Sequence, residues 1–340
     1  MPTNSTGTEV TPRFVSSASD EKFLPGDNFM DTLARDRTRA NDEATMKMEI
    51  RPTDAPAGAE ICGIRLSGDI SADQFAAIER ALHQYGVVFF RNQDLNPVEH
   101  LRFTRLFGEL ETPVLEQYTV PGHRALIILS NVLKEDGRPV GLVDAGQFWH
   151  SDSTYRPEPA RCSVLHAIEI PTEDGRPLGD TLFVRTDTAY DRLSDAMKAR
   201  LKDMRAIHSF AHPYRKVYER APEEGGGKRD KLTEEQRKAA LDAIHPVIRT
   251  HPVTGRKCLY VNEGLTAGFV GMDETDSEAL LRALCAHCTP KDEIYHHKWQ
   301  VGDVIIWDNC MTQHHATGGY HWPRQRRYLH RATAKGSVPF

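Results

Sequence analysis

Apolar and polar positions divide the 340-residue chain into an unpatterned stretch and a long patterned one. From Met1 to Thr45, Thr, Ser, Asp and Arg dominate and no apolar period is sustained, so residues 1–45 are expected to be a mobile tail. Pattern starts at Met46, and residues 46–340 are expected to form one domain. Ser71 and Gln74 form a capping box ahead of Phe75, Ile78 and Leu82 at helical spacing. Gly86 ends that helix before the apolar run Val87–Phe90, which reads as a buried strand. Asn96 and Pro97 open a second helix carrying Leu101, Arg105 and Leu106.

Strand signals then dominate, at Ala125–Leu129, from Cys162, from Thr181, from Lys257, from Val304 and from Arg327. Helices are expected over Thr186–Met204, Thr233–Ala243 and Asp276–His287 as outer decorations. Short strands between Pro and Gly turns predict a mainly β protein with flanking helices, a sandwich or jelly roll. The charged run from Glu219 to Asp230, with three consecutive glycines, cannot pack a core. It reads as a surface loop or lid inside a loop and helix insertion around residues 208–245.

Charge narrows the function classes. Lys and Arg number 43 against 48 Asp and Glu, a net charge of −5, which argues against a general binder of nucleic acid or anionic membranes. Hydrophobic residues at 39% exclude wholesale disorder. No apolar run approaches the roughly 18–20 residues of a membrane span, and a cytoplasmic location is expected. The six cysteines are spread thinly and are expected to be reduced thiols. Self-association is left open.

The chemistry gathers in three segments. In FWHSDSTY, His150 and Asp152 are two residues apart and on extended backbone share one face, offering the nitrogen and oxygen ligands that a divalent metal takes in a facial triad. Downstream, VIIWDNCMTQHHA carries an apolar strand into a polar turn bearing His314 and His315. Either is a third ligand by local chemistry, and parity does not choose between them because the strand is expected to end near Trp307. In RRYLHRAT, Arg327 and Arg331 fall on one strand face, where a bound organic acid would meet them bidentately. Three other candidates rank lower. Cys285 and Cys288 resemble half a zinc site without a second pair, and Cys285 is expected simply to pack. His296 and His297 face opposite sides of a strand. His208 and His212 suit an anionic substrate pocket or a solvated loop, with the loop preferred.

These landmarks, in this order, resemble the taurine/2,4-D dioxygenase (TauD/TfdA) family of iron(II)- and 2-oxoglutarate-dependent oxygenases: YGVVFFRNQDL with LFGEL, then FWHSD, GDTLF, and WDNCMTQHHA followed by RRYLHRAT. The resemblance covers roughly Met46 to Lys335. It implies a double-stranded β-helix and a metal triad of His150, Asp152 and His314, the distal His lying seven residues after Trp307. It also implies that Thr181 and Arg327 bind 2-oxoglutarate and that Arg331 contacts substrate or cosubstrate. The implied cofactors are Fe(II), 2-oxoglutarate and O2. The implied reaction hydroxylates a C–H bond of a small, anionic substrate and releases succinate and CO2. The His and Asn that hold sulfonate in taurine-using members are replaced here by ETPVLEQY and AGQF, so taurine is not expected. The span from His314 to Arg327 is longer than the pattern, implying an insertion around Gly318–Trp322. Competing readings are oxidative desaturation or isonitrile formation on an amino-acid-derived substrate, a non-catalytic jelly-roll binding module, and a hydrolytic zinc centre on the same triad.

Overall fold

Val87–Phe90 is buried at all four positions because both of its faces are covered. In the computed structural model, which describes residues 47–143, 145–212, 233–234 and 242–340, this strand lies inside an eight-stranded sheet. Val88 and Phe90 point to a cluster shared with Ile78, Leu82 and Phe103 of two helices, whereas Val87 and Phe89 point to a cluster shared with Phe183, Tyr295 and Trp307. Strands covered on both faces read as continuous apolar runs, which is why the pattern here does not alternate.

The elements in chain order are β1 (Glu49–Pro52), β2 (Ala59–Cys62), α1 (Ala72–Tyr85), β3 (Val87–Phe90), α2 (Pro97–Arg105), β4 (Thr119–Val120), β5 (His123–Ser130) and β6 (Ala160–Glu169). A small hairpin, β7 (Thr172–Glu173) and β8 (Arg176–Pro177), leads to β9 (Thr181–Arg185), α3 (Thr186–Asp191), α4 (Asp195–Leu201) and β10 (Arg205–His208). Then follow β11 (Ala243–Pro246), β12 (Ile248–Thr250), β13 (Lys257–Leu259), β14 (Thr266–Phe269), α5 (Glu274–Cys288), β15 (Tyr295–His297), β16 (Val304–Asp308), β17 (Thr312–Ala316) and β18 (Tyr328–Lys335). The large sheet runs β1-β2-β3-β16-β6-β18-β5-β4, antiparallel except between β2 and β3. A three-stranded sheet, β15-β9-β17, meets its inner face through Phe183 and Tyr295, and the site lies between the two.

The expected capping box of α1 is present, with Ser71 accepting the Gln74 N–H, and Asn96 caps α2 as expected by accepting the N–H groups of Val98 and Glu99. Gly86 closes α1 at φ 75°, a left-handed position that glycine occupies without a Cβ penalty. Other expectations need correction. Thr186–Met204 is two helices, interrupted at Arg192–Ser194, where Ser194 caps α4 through the Met197 N–H. Ala243 opens a strand instead of closing a helix, and pairs with His208. The rest of the helix expected from Thr233 lies largely outside the described residues, as do the N-terminal tail and the Glu219–Asp230 run. None of the six cysteines is in a disulfide; Cys288 is buried, while Cys285, expected to pack, is only half-buried.

Candidate metal centre

TQHHA is itself a strand, β17, and this corrects the expected turn. It pairs antiparallel with β9, setting His314 opposite Phe183 and Ala316 opposite Thr181. Parity therefore does choose: His314 is buried toward the inner face, while His315 turns to the other side against Trp149 at 5.6 Å between ring centroids. A lone antiparallel bridge then ties His150 to His314 through both backbone bonds, His150 N–H to His314 O at 3.1 Å and His314 N–H to His150 O at 2.8 Å. Residues paired in this way project side chains on one side of the ladder, and the imidazole centroids are 4.0 Å apart.

Asp152 arrives differently from the extended reading. The chain turns just after His150, with Ser153 at φ 57°, and Asn309 Oδ1 accepts the Asp152 backbone N–H at 3.0 Å. Asn309 also accepts the Trp307 indole N–H at 3.0 Å and donates to Ser163 Oγ at 3.1 Å. Ser163 in turn donates to Asp152 Oδ2 at 2.6 Å, and Arg331 donates to Oδ1 at 2.8 Å. The result is a buried group of three, His150, Asp152 and His314, whose ligand atoms all lie within 4.8 Å of one another.

The donor set is chemically ready for a metal. His150 Nδ1 donates to Phe148 O at 2.9 Å, so its Nε2 keeps a free lone pair, which faces Asp152 Oδ1 at 3.8 Å. His314 Nε2 stands 3.9 Å from Asp152 Oδ2. Both distances are too long for hydrogen bonds and suit ligand atoms around a shared ion. Burial holds His150 and His314 below the usual imidazole range and hence neutral. Burial also opposes ionisation of Asp152, but the Arg331 guanidinium and the hydrogen bond from Ser163 outweigh it and hold the carboxyl below its ordinary value.

A second group, His83, His251 and Asp308, also has close ligand atoms. There His251 Nδ1 accepts the amides of Val253 and Thr254, so Nε2 carries the proton and donates to Asp308 at 2.9 Å. That arrangement is a hydrogen-bonded pair, without the free lone pair of His150.

Two cavities meet at the triad. One, about 550 Å³ including open solvent, is lined by His150, His314, Thr181, Arg327, Tyr320 and Arg331 among others. Arg327 is buried, and burial lowers its pKa. Its guanidinium donates to Gly179 O at 2.9 Å and lies 5.6 Å from the Trp299 ring centroid and 5.3 Å from that of Tyr320. No carboxylate pairs with it among the described residues. The other cavity, about 740 Å³ on the same measure, adds Asp152 and Glu111 to mostly apolar walls that include Leu115, Ile127, Phe148, Tyr155 and Phe210. Arg331 lines both cavities.

Arg327 and Arg331 thus reach one cavity, but their partners differ, because Arg331 already pairs with a carboxylate of the protein itself, that of Asp152. His208 lines neither cavity: it is fully buried, bonded through Nδ1 to Thr154 Oγ1 at 3.0 Å, and so is not solvated either. Asn309, Ser163, Trp299 and Tyr320 were not singled out from the sequence; only Asn309 carried a signal, as part of WDN. Tyr320 falls within the stretch expected as an insertion, which holds Gly318 and Gly319 at φ 67° and 81°.

The family model described as "Taurine catabolism dioxygenase TauD, TfdA family" matches residues 49–333. The chain belongs to that family. Among its relatives, pentalenolactone F synthase of Streptomyces arenae is 33% identical over 273 residues, 78% of this chain and 89% of that protein. The alpha-ketoglutarate-dependent 2,4-dichlorophenoxyacetate dioxygenase of Burkholderia sp. (strain RASC) is 32% identical over 287 residues, 82% and 91% of the two chains. The crystal structure of AAD-2 in complex with Mn(II) and N-oxalylglycine superposes with a TM-score of 0.69 at 28% identity, covering 86% of this chain and 99% of that one. The fold is accordingly the jelly roll of TauD-type dioxygenases. No helix among the described residues is long and apolar enough to cross a membrane.

Proposed function

We propose that this chain is an iron(II)- and 2-oxoglutarate-dependent dioxygenase in which His150, Asp152 and His314 hold the metal. Thr181 and Arg327 anchor the far carboxylate of 2-oxoglutarate, and Arg331 serves substrate or cosubstrate with the donors that Asp152 leaves free. The substrate is a small organic anion with an apolar body, hydroxylated at a C–H bond as succinate and CO2 are released. The observation that carries this reading is the His150–His314 bridge, which points two neutral imidazoles at an ionised, buried carboxylate beside a buried guanidinium without an anion of its own.

Bound iron supplies oxygen activation coupled to decarboxylation of the 2-oxoacid. The chain's residues do the remainder. Ser163 and Arg331 hold the Asp152 carboxylate ionised and fixed, so it presents a constant charge to the metal. Arg327, buried and without a protein anion, gains most when a carboxylate enters its cavity. The apolar walls around Phe148, Tyr155 and Phe210 shield the reacting carbon from water and fix which C–H faces the centre. A relative that acts on a phenoxyacetate, itself a carboxylate on an apolar ring, supports the class of substrate proposed.

Asp152→Ala is expected to abolish substrate-stimulated succinate release while the protein still folds. Persistent release from that variant would remove Asp152 from the metal site. The substrate follows from a mass-spectrometric screen of carboxylates, phenoxyacids, sulfonates and sulfate esters, scored by product formed per succinate released.

A further inference from the structure

Trp299 is 1% exposed and touches both groups assigned to the cosubstrate. Its indole N–H donates to Thr181 Oγ1 at 3.0 Å, and its ring lies under the Arg327 guanidinium, with Tyr320 supplying a second ring. A hydroxyl that accepts at its oxygen must send its single hydrogen elsewhere. No acceptor among the described residues is within bonding distance of Thr181 Oγ1, and Thr181 lines the cavity that holds Arg327. Aromatic faces stabilise a buried cation without consuming its N–H donors, so Arg327 keeps its charge and most of its hydrogen-bonding capacity for a ligand.

The indole is itself held from behind. His297 meets it edge-on at 4.6 Å between centroids. That histidine donates through Nε2 to Asp303 at 3.2 Å and accepts the Tyr295 hydroxyl at Nδ1, 2.9 Å away. Asp303 is fixed by Arg91 and by the Gln300 N–H at 2.8 Å. Such a chain of locked side chains is what keeps a contact group in one geometry.

We infer that Trp299 is a positioning residue for 2-oxoglutarate: its N–H turns the Thr181 hydroxyl proton into the cavity, and its ring carries the Arg327 charge without neutralising it. This rests on the assignment of Thr181 and Arg327 to the cosubstrate and adds the residue that makes both competent. Trp299→Phe keeps an aromatic ring near Arg327 and removes the N–H donor together with the volume of the five-membered ring.

The test is anaerobic calorimetric binding of 2-oxoglutarate to the Fe(II)-loaded protein, alongside steady-state kinetics, for wild type, Trp299→Phe, Thr181→Val and the double variant. The loss of one aligned hydrogen bond is expected to weaken 2-oxoglutarate binding by roughly five- to tenfold. The KM for 2-oxoglutarate should rise alongside, with kcat within about twofold of wild type, the span a lost ground-state contact leaves. The double variant should bind no worse than Thr181→Val, because Trp299 acts through that hydroxyl. Trp299→Tyr, which also lacks an indole N–H, should give the same pattern should the Phe variant prove insoluble. Multiplied losses in the double variant, or a fall in kcat with unchanged binding, would overturn the inference. Arg327→Leu separates the two levels: wild-type binding by that variant sinks the cosubstrate assignment itself, whereas lost binding alongside multiplied Trp299 and Thr181 losses sinks only the role of Trp299.

Discussion

Asn309 illustrates how much of this site depends on a residue that holds no ligand. It fixes the backbone of Asp152, the indole of Trp307 and the hydroxyl of Ser163 at once, all in a buried setting. Asn309→Ala leaves two buried N–H donors without their acceptor, a cost of about 1–3 kcal/mol each if no water enters. Fe(II) affinity should fall by roughly 10- to 100-fold, the usual penalty for losing an outer-sphere support. Metal titration and urea unfolding of the same variant check both numbers; wild-type metal affinity would show that Asp152 is held without it. At this scale the His-X-Asp pair was legible from residue type, although a turn and not the extended backbone read from its spacing carries Asp152 to the group, and the choice of His314 over His315 came from resemblance. Trp299 and Tyr320 were not legible, because a tryptophan and a tyrosine far apart in the chain carry no local sign that they will flank one guanidinium.

Elements whose signal is local read correctly. The caps of α1 and α2 are side-chain bonds over three residues, and Val87–Phe90 announces itself by an apolar run covered on both faces. β17 did not, because TQHHA is polar and becomes a strand only through pairing with β9, more than a hundred positions earlier. The long helix expected from Thr186 fails for a related reason: Ser194 is a helix-starting residue whose cap restarts the chain mid-way. The turn entering β9 offers a test at this level. Gly179 sits at φ 77°, and an added Cβ would come within 2.6 Å of Tyr320 and 2.8 Å of the Arg327 guanidinium, whereas Gly175, at φ 75°, has nothing within 4 Å. Both Ala variants should lose about 1–2 kcal/mol from left-handed strain. Only Gly179→Ala should raise the KM for 2-oxoglutarate, and equal kinetics for the two would show that this turn does not shape the cosubstrate pocket.

Across the whole molecule, buried histidines make stability depend on pH. Burial lowers His100 and His208 to about 3 and His330 to about 4, with neighbouring histidines adding to the effect. In the unfolded chain each titrates near 6.5. Above that pH neither state is protonated and the folded state is at full strength. As pH falls below it the unfolded chain gains protons that the folded one refuses, so stability drops by up to about 1.4 kcal/mol per pH unit for each such histidine. The urea midpoint should therefore fall steadily from pH 7 to pH 5, above the range where carboxylates titrate, and a flat profile would mean that these rings are not kept neutral. The two-sheet architecture was legible from strand spacing, but burial of so many imidazoles was not, since a histidine on a strand gives no sign of what will pack against it.

Anaerobic Fe(II) titration of wild type, His314→Ala and His315→Ala by calorimetry tests the central assignment most directly, because the two variants differ only in which of two adjacent imidazoles is lost. The wild type and His315→Ala should bind one ion per chain with similar affinity, and His314→Ala should lose that binding. Undiminished binding by His314→Ala, or its loss in His315→Ala, would place the metal somewhere other than between His150, Asp152 and His314.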